Sequence, residues 1–356
     1  MTVVGAGPAG SRTAELIARH GFKVALVEKN TDVGLPVRCT GLISSRLMDI
    51  VPDLPASAIL NRIDSARFFA TANSFELRSR RPFYVVDREK LDKFLYLRAR
   101  KAGAAADTGM LFKDFELSSK DDEDFLTLHT SKGKVQTRLL VGADGPVSTV
   151  AEKAGLERPA NMMTGMQMTV PGDYDASTAE LIFSEELTPD FFGWVVPLSE
   201  TRARVGVAAK QNALAGLRTL VEKRTGGLVK AADVKPDVAG KINFGLMQRT
   251  SAERVMVVGD AACQVKPFSG GGVVYSLMGA GYAANAAVKA LKSGDFSAAF
   301  LKEEYDDRWK DHLAKPIKRG LMYRRILLGS DRRMNLLFRL GGAGKSVIEG
   351  FDADLL

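Results

Sequence analysis

The six residues Gly5-Ala6-Gly7-Pro8-Ala9-Gly10 restrict what this chain can become more than any other part of it. They follow a short apolar run, Thr2-Val3-Val4, and open a helical pattern from about Pro8 to His20 that Gly21 closes. Residues 23–28, Lys-Val-Ala-Leu-Val-Glu, then read as a buried parallel strand. Gly5 permits a tight turn and Gly7 lets backbone approach a pyrophosphate; Gly10 lets the helix pack close to the strand, with Ala9 in the same turn. The helix start offers unpaired N–H groups and a positive dipole end to phosphates. Glu28 stands eighteen residues after Gly10, where a carboxylate accepts hydrogen bonds from adenosine ribose hydroxyls. An acid there disfavours a 2′-phosphate, so the unit predicts a dinucleotide site that does not suit NADP.

The bulk numbers fit a globular chain. Its 356 residues suffice for one large α/β unit or two interleaved domains, and 46% hydrophobic with 26% charged residues argues against disorder. No run approaches the ~18 apolar residues needed to span a bilayer. Residues 2–10 read as a strand entering a glycine turn, not as a secretory signal. Two cysteines, Cys39 and Cys263, cannot make a disulfide framework, so a reducing, cytoplasmic setting is expected. His20, His129 and His312 are scattered without metal-ligand spacing, and no metal is expected.

The formal net charge of +8 and pI near 9.4 suit nucleic acid, an anionic membrane or an acidic partner. Lys315, Lys318, Arg319, Arg324, Arg325, Arg332, Arg333 and Arg339 crowd the C-terminal quarter. Leucines, Met322, Ile326 and Phe338 interleave with them. This mixture favours a helix lying on an anionic interface, peripheral on the inner face of the membrane, over nucleic acid. An ordinary solvated helical face is the alternative.

Along the chain, residues 30–45 are irregular, 67–78 read as a strand or hairpin, and 88–102 as a helix. Short strands are predicted at 111–117, 125–129 and 137–141, then a period-two pattern from Met162 to Ala208, then a buried strand at 254–258. Helices dominate from Gly271, with breaks at Gly294, Pro316, Gly329 and Gly341. The predicted fold is α/β: a discontinuous Rossmann-like dinucleotide domain with an inserted antiparallel β-sheet substrate domain and a C-terminal helical region. The dinucleotide domain is assigned 1–65, 84–155 and 250–292, the insert 66–83 and 156–249, and the helical region 293–356.

Two further motifs follow buried strands. Gly142-Ala143-Asp144-Gly145-Pro146 carries Asp144, and Gly259-Asp260-Ala261-Ala262 places Asp260 to bond a ribityl hydroxyl. After it, Gly270-Gly271-Gly272 opens a helix at Val273, bringing backbone N–H groups towards a flavin and its phosphate. Each alone also reads as a glycine turn. In this order, the three resemble the FAD-dependent oxidoreductases of the para-hydroxybenzoate hydroxylase fold, and within them the geranylgeranyl reductase family. The resemblance covers the chain to about residue 300.

Three features carry the narrower resemblance. Pro36-Val37-Arg38-Cys39-Thr40-Gly41 is similar to the family's Arg-Cys loop, although one residue shorter before Gly41. There the resemblance sets Arg38, Cys39 and Gly41 beside the flavin and lipid. Arg88, in Asp87-Arg88-Glu89, matches an arginine that contacts FAD. Phe192-Gly193-Trp194-Val195-Val196-Pro197 resembles the motif that lines the isoprenoid cavity, with Phe192, Trp194 and Val196 on one strand face. Taken alone, Cys39 also reads as a small buried residue, Arg88 as a surface cation and the Trp194 strand as plain core. Cys263 and Gln264 replace the family's usual glycine and its neighbour.

The resemblance implies hydride transfer from reduced FAD to isolated C=C bonds of geranylgeranyl chains in isoprenoid lipids. It makes Cys39 a candidate for protonation, modulated by Arg38, with Pro197, Trp194 and Phe192 on the substrate wall. Met162, Met163, Met166 and Met168 suit a long flexible lipid. With no second glycine fingerprint, NAD(P)H bound transiently or a docked ferredoxin would supply electrons. An aromatic monooxygenase of the same fold, a quinone-directed electron-transfer flavoprotein and a non-catalytic flavin protein are the rival readings.

Overall fold

The computed structural model describes residues 1–121, 123–159, 161–328, 331–341 and 347–351. The chain forms two units. One comprises Met1–Leu35, Glu89–Asn161 and Asn243–Arg319; the other comprises Pro36–Arg88, Met162–Ile242 and Gly320–Leu356.

Three apolar triplets from distant parts of the sequence start the first unit's sheet. Thr2–Val4, Leu140–Gly142 and Val255–Val257 are buried throughout, as strands covered on both faces must be. They lie parallel, with Val3 opposite Val141 and Val141 opposite Met256. Ala25–Val27 and Ala105–Asp107 extend the parallel order on the other side of Thr2–Val4, and antiparallel Ser251–Ala252 closes the far edge. The fingerprint helix is Pro8–Arg19, and Val273–Ser293 packs against it. A three-stranded antiparallel sheet, Phe112–Lys120, Glu123–Thr130 and Gly133–Thr137, sends Phe112, Leu126 and Leu128 into the same core as Val4, Leu140 and Val257. The discontinuous Rossmann-like arrangement read from the sequence is present.

The second unit rests on a nine-stranded, mostly antiparallel sheet. Its order runs Val238–Asn243, Met162–Pro171, Arg202–Ala209, Gly193–Ser199, Thr178–Ile182, Ile59–Phe69, Ser74–Val86 and Val347–Phe351, with Leu42–Ser44 also paired to Ser74–Val86. Alternation sorts its faces. Val195, Val205 and Val207 pack with Leu217, Leu220 and Val221 of the helix Ala213–Arg224, while Val196 packs with Ile63, Val85 and Ala179 beside Trp194.

The unit boundaries differ from those drawn on the sequence. Residues 36–65 and 84–88 group with the second unit, because the eleven-residue strand Ile59–Phe69 pairs along Ser74–Val86. Residues 293–319 group with the first unit, where Tyr305 and Trp309 are fully buried. Tyr305 sits in a π-helical turn, Lys302–Asp307. Nor does Pro316 break the chain: Arg308–Leu327 is one helix containing it, with Leu313 and Ile317 buried on either side. Gly294 does end a helix, in a left-handed conformation. Gly329 lies outside the described residues, and Gly341 is the last residue of the helix Asp331–Gly341.

Candidate functional site

In the first unit the three motifs meet at their glycines. Gly5 has φ +100°, and a Cβ there would stand 2.3 Å from the Ala143 carbonyl oxygen. A Cβ on Gly10 would stand 1.8 Å from the Gly5 oxygen, and one on Gly259 2.8 Å from the Cβ of Ala9. Side chains at these positions would push the turns apart. At Gly7 an added Cβ meets nothing within 4 Å, so the helix start is left open. Pro8 begins that helix and no side chain caps it; Gly272 likewise caps Val273–Ser293 without a side-chain bond. A convergence of uncapped helix starts over bare backbone is the donor set that a pyrophosphate requires.

Glu28 is fixed in place. Its Oε2 accepts from the Ala6 N–H at 2.8 Å and its Oε1 from the Asn30 N–H at 2.9 Å. Each oxygen retains acceptor capacity for ribose hydroxyls. Asp144 is engaged locally: Ser148 Oγ donates to Oδ1 at 2.5 Å and the Val150 N–H to Oδ2 at 3.0 Å. Burial pushes its carboxyl above the usual range despite these bonds. Asp144 thereby shapes the Gly142–Gly145 turn and the start of the helix Thr149–Lys153, which Ser148 caps. A Cβ on Gly272 would lie 2.6 Å from Asp260 Oδ1, so that carboxylate requires glycine opposite it. Gly271 has only Ser269 Oγ and Lys266 Cδ near its missing Cβ. These residues fit a flavin dinucleotide.

Cys263 and Gln264 have structural tasks. Gln264 Oε1 accepts from the Gly259 N–H at 2.8 Å and its Nε2 donates to Tyr305 Oη, which donates to the Val257 carbonyl at 2.6 Å. Cys263 has φ +53°, is fully buried, and its sulfur accepts from Asn243 Nδ2. Burial, more than the neighbouring Asp260, pushes its thiol up to about 12. It is therefore unreactive at neutral pH.

The second unit holds the Arg-Cys loop and the aromatic strand. The Gly41 N–H donates to Cys39 Sγ at 3.3 Å. Gly41 has φ +81°, and a Cβ there would stand 2.3 Å from the Val86 oxygen, so this turn requires glycine. The Arg38 carbonyl oxygen lies 2.9 Å from the place of a Cβ on Gly240. Arg88 begins the helix Arg88–Lys101 and is partly buried. Trp194 and Val196 share a face, but the strand starts at Gly193, and Phe192 stacks on Phe191 at 4.1 Å and meets Phe183 at 5.4 Å. Pro197 is buried and its carbonyl accepts from Asn61 Nδ2.

Several residues here escaped the sequence reading. Arg204 Nη1 donates to the Thr40 carbonyl, and Thr40 Oγ1 donates to Gln167 Oε1 at 2.7 Å. Trp194 Nε1 reaches the same oxygen at 3.4 Å, and Gly206 leaves room for its indole. The available signals were a single cation in Ala203-Arg204-Val205-Gly206-Val207 and a single amide among methionines.

The sequence profile of the FAD binding domain family matches residues 1–308. Digeranylgeranylglycerophospholipid reductase 2 of Methanothermobacter thermautotrophicus is 32% identical over 364 residues, covering 95% of this chain and 90% of that protein. Digeranylgeranylglycerophospholipid reductase 1 of Methanopyrus kandleri is 32% identical over 326 residues, covering 87% and 86%. In fold, a geranylgeranyl bacteriochlorophyll reductase-like protein of Thermoplasma acidophilum superposes with a TM-score of 0.85 at 24% identity, covering 97% of this chain and 91% of that one. FAD is thus the cofactor of this chain. This chain belongs to the FAD-binding geranylgeranyl reductase family, among the relatives of the digeranylgeranylglycerophospholipid reductases.

Proposed function

We propose that this protein hydrogenates isolated C=C bonds in the geranylgeranyl chains of an isoprenoid lipid. The observation that carries the reading is a set of glycine turns that fit a flavin dinucleotide, in a chain whose relatives are named digeranylgeranylglycerophospholipid reductases. The residues of the glycine turns and the Gly271–Val273 helix start would hold FAD, which when reduced would supply hydride chemistry at one alkene carbon. The protein must orient the chain, keep water away and bring a proton to the other carbon, because no carbonyl polarises the bond. We assign that proton to Cys39 Sγ, held by the Gly41 N–H, with Arg38 beside it in sequence. Phe192, Trp194 and Pro197 belong to the wall for the prenyl chain, whereas Glu28, Arg88, Asp144, Asp260 and the Gly271–Val273 helix start serve the cofactor. The dinucleotide domain is the first unit and the substrate domain the second.

Electrons come from NAD(P)H or from a ferredoxin; bleaching of the flavin by NAD(P)H alone separates the two. No helix among the described residues is long and apolar enough to cross a membrane. We place membrane contact on the helix Asp331–Gly341. Met334 and Phe338 are buried and Asn335 accepts from the Ala72 N–H, which turns Arg332, Arg333, Leu336 and Arg339 outward. An exposed leucine among arginines suits an anionic lipid surface.

The test is incubation of dithionite-reduced holoprotein with a geranylgeranyl-bearing phospholipid, read by mass spectrometry and alkene proton signals. A gain of a hydrogen pair per bond supports the reading. An unchanged lipid, or oxygen-dependent hydroxylation of an aromatic compound instead, sinks it.

A further inference from the structure

The residues from Pro36 to Gly41 form no helix or strand, so backbone pairing within the loop cannot fix where Cys39 sits. What fixes it comes from the sheet beneath. We propose that Gln167 and Arg204 are positioning residues that clamp this loop onto the sheet and couple the placement of Cys39 to that of Trp194. The clamp itself stands on geometry; its catalytic meaning rests on the reductase reading above.

Gln167 lies on the strand Met162–Pro171 and is 2% exposed. A buried carboxamide without partners costs roughly 1–3 kcal/mol, so its bonds should be specific. Its Oε1 has two lone pairs and two donors: Thr40 Oγ1 from the loop at 2.7 Å and Trp194 Nε1 from the strand Gly193–Ser199 at 3.4 Å. One oxygen therefore joins the residue after Cys39 to the indole of the aromatic motif. Neither can shift far without weakening its bond to Gln167.

Arg204 holds the other side of Thr40. It lies on the strand Arg202–Ala209, between buried Ala203 and buried Val205. Its Nη1 donates to the Thr40 carbonyl and lies 3.0 Å from the place where a Cβ on Gly41 would stand. Burial lowers the pKa of the guanidinium, and Cys39, Asp237 and Asp87 lie near enough to oppose that shift. Thr40 is thus gripped through its hydroxyl by Gln167 and through its carbonyl by Arg204. Cys39, one residue before it and bonded to the Gly41 N–H one residue after it, has little freedom left. A fold-only role for the pair would stabilise the sheet without setting the reactivity of the sulfur.

Iodoacetamide labelling of the folded holoprotein separates these roles. Cys263, fully buried with its thiol pushed up to about 12, serves as an internal silent control. Gln167→Leu and Arg204→Met should each change the labelling rate of Cys39 at least fivefold. Gln167→Leu should also increase acrylamide quenching of Trp194, since the other tryptophan, Trp309, is fully buried. Gln167→Glu, which keeps an acceptor oxygen, should return the labelling rate to within twofold of wild type. With the lipid substrate, kcat/KM should fall about tenfold in the Leu and Met variants, since small misplacements of reacting groups cost factors of this order.

If either buried substitution prevents folding, Thr40→Val removes only the hydroxyl donor and should reproduce the labelling change. Wild-type labelling and quenching in Thr40→Val or Gln167→Leu, with only the melting temperature lowered, would overturn the clamp. The labelling readout needs no lipid. A protein that reduces no prenyl lipid yet shows these changes would refute the reductase reading and leave the clamp standing.

Discussion

Adding a single methyl group at Gly206 tests how the indole of Trp194, proposed for the substrate wall, is seated. A Cβ at this position would lie 2.3, 2.4 and 2.6 Å from Cε2, Cζ2 and Nε1 of Trp194. Carbon atoms in comfortable contact sit about 3.5–4.0 Å apart, so the indole would have to retreat by about 1 Å or more. The backbone cannot yield instead, because Gly206 is paired on both sides, with Gln167 and with Trp194. Retreat of the ring breaks its bond to Gln167 and disturbs its packing beside Val196 and Ile63. Overpacking costs about 1–3 kcal/mol and the lost bond about 1 kcal/mol more. Gly206→Ala should therefore lose roughly 2–4 kcal/mol in urea unfolding. Its Trp194 should become more accessible to acrylamide, and KM for the prenyl substrate should rise more than kcat falls. A variant within about 0.5 kcal/mol of wild type, with unchanged quenching and KM, would refute the idea that Gly206 seats the indole.

Other outcomes follow from the same geometry. Gly10→Ala, whose new Cβ would fall 1.8 Å from the Gly5 oxygen, should purify without bound FAD, as read by flavin absorbance. Thiol titration of native protein should find one reactive cysteine, Cys39, and a second only after denaturation. Because the folded Cys263 keeps its proton up to about 12 while the unfolded thiol loses it near 9, stability should fall as pH rises through that interval. Cys263→Ala should flatten that alkaline decline in pH-dependent unfolding. Co-sedimentation with anionic vesicles should be lost in Leu336→Glu and weakened in Arg332→Glu, and should diminish with salt. Retention of both variants on the vesicles would remove the helix Asp331–Gly341 as the contact.

The parts legible in the sequence were local. Thr2–Val4, the glycine turn and Pro8–Arg19 announce themselves through contiguous apolar residues and backbone requirements confined to a few positions. The clamp was not legible, because Thr40 and Gln167 lie 127 positions apart and only the folded sheet brings them together. The unit boundary at Pro36 was hidden for a related reason. The strand Ile59–Phe69 carries Asn61, Arg62 and Asp64, so its sheet membership is set by pairing with Ser74–Val86 more than by its own apolar pattern. Pro316 misled in the opposite direction: its local helix-breaking tendency is overridden by burial of Leu313 and Ile317.

The relay from Gly259 through Gln264 to Tyr305 has a consequence for where the protein can be shortened. The residues proposed to hold the flavin end at Val273, yet the loop carrying Asp260 is braced by a phenol in the π-helical turn Lys302–Asp307. That phenol is fully buried and closes the circuit on the Val257 carbonyl, at the end of the strand that leads into the loop. A chain ended at residue 300 would thus keep every flavin fingerprint and lose the keystone that sets one of them. A fragment intended to hold flavin should therefore extend to this brace, some thirty residues beyond the last recognisable motif.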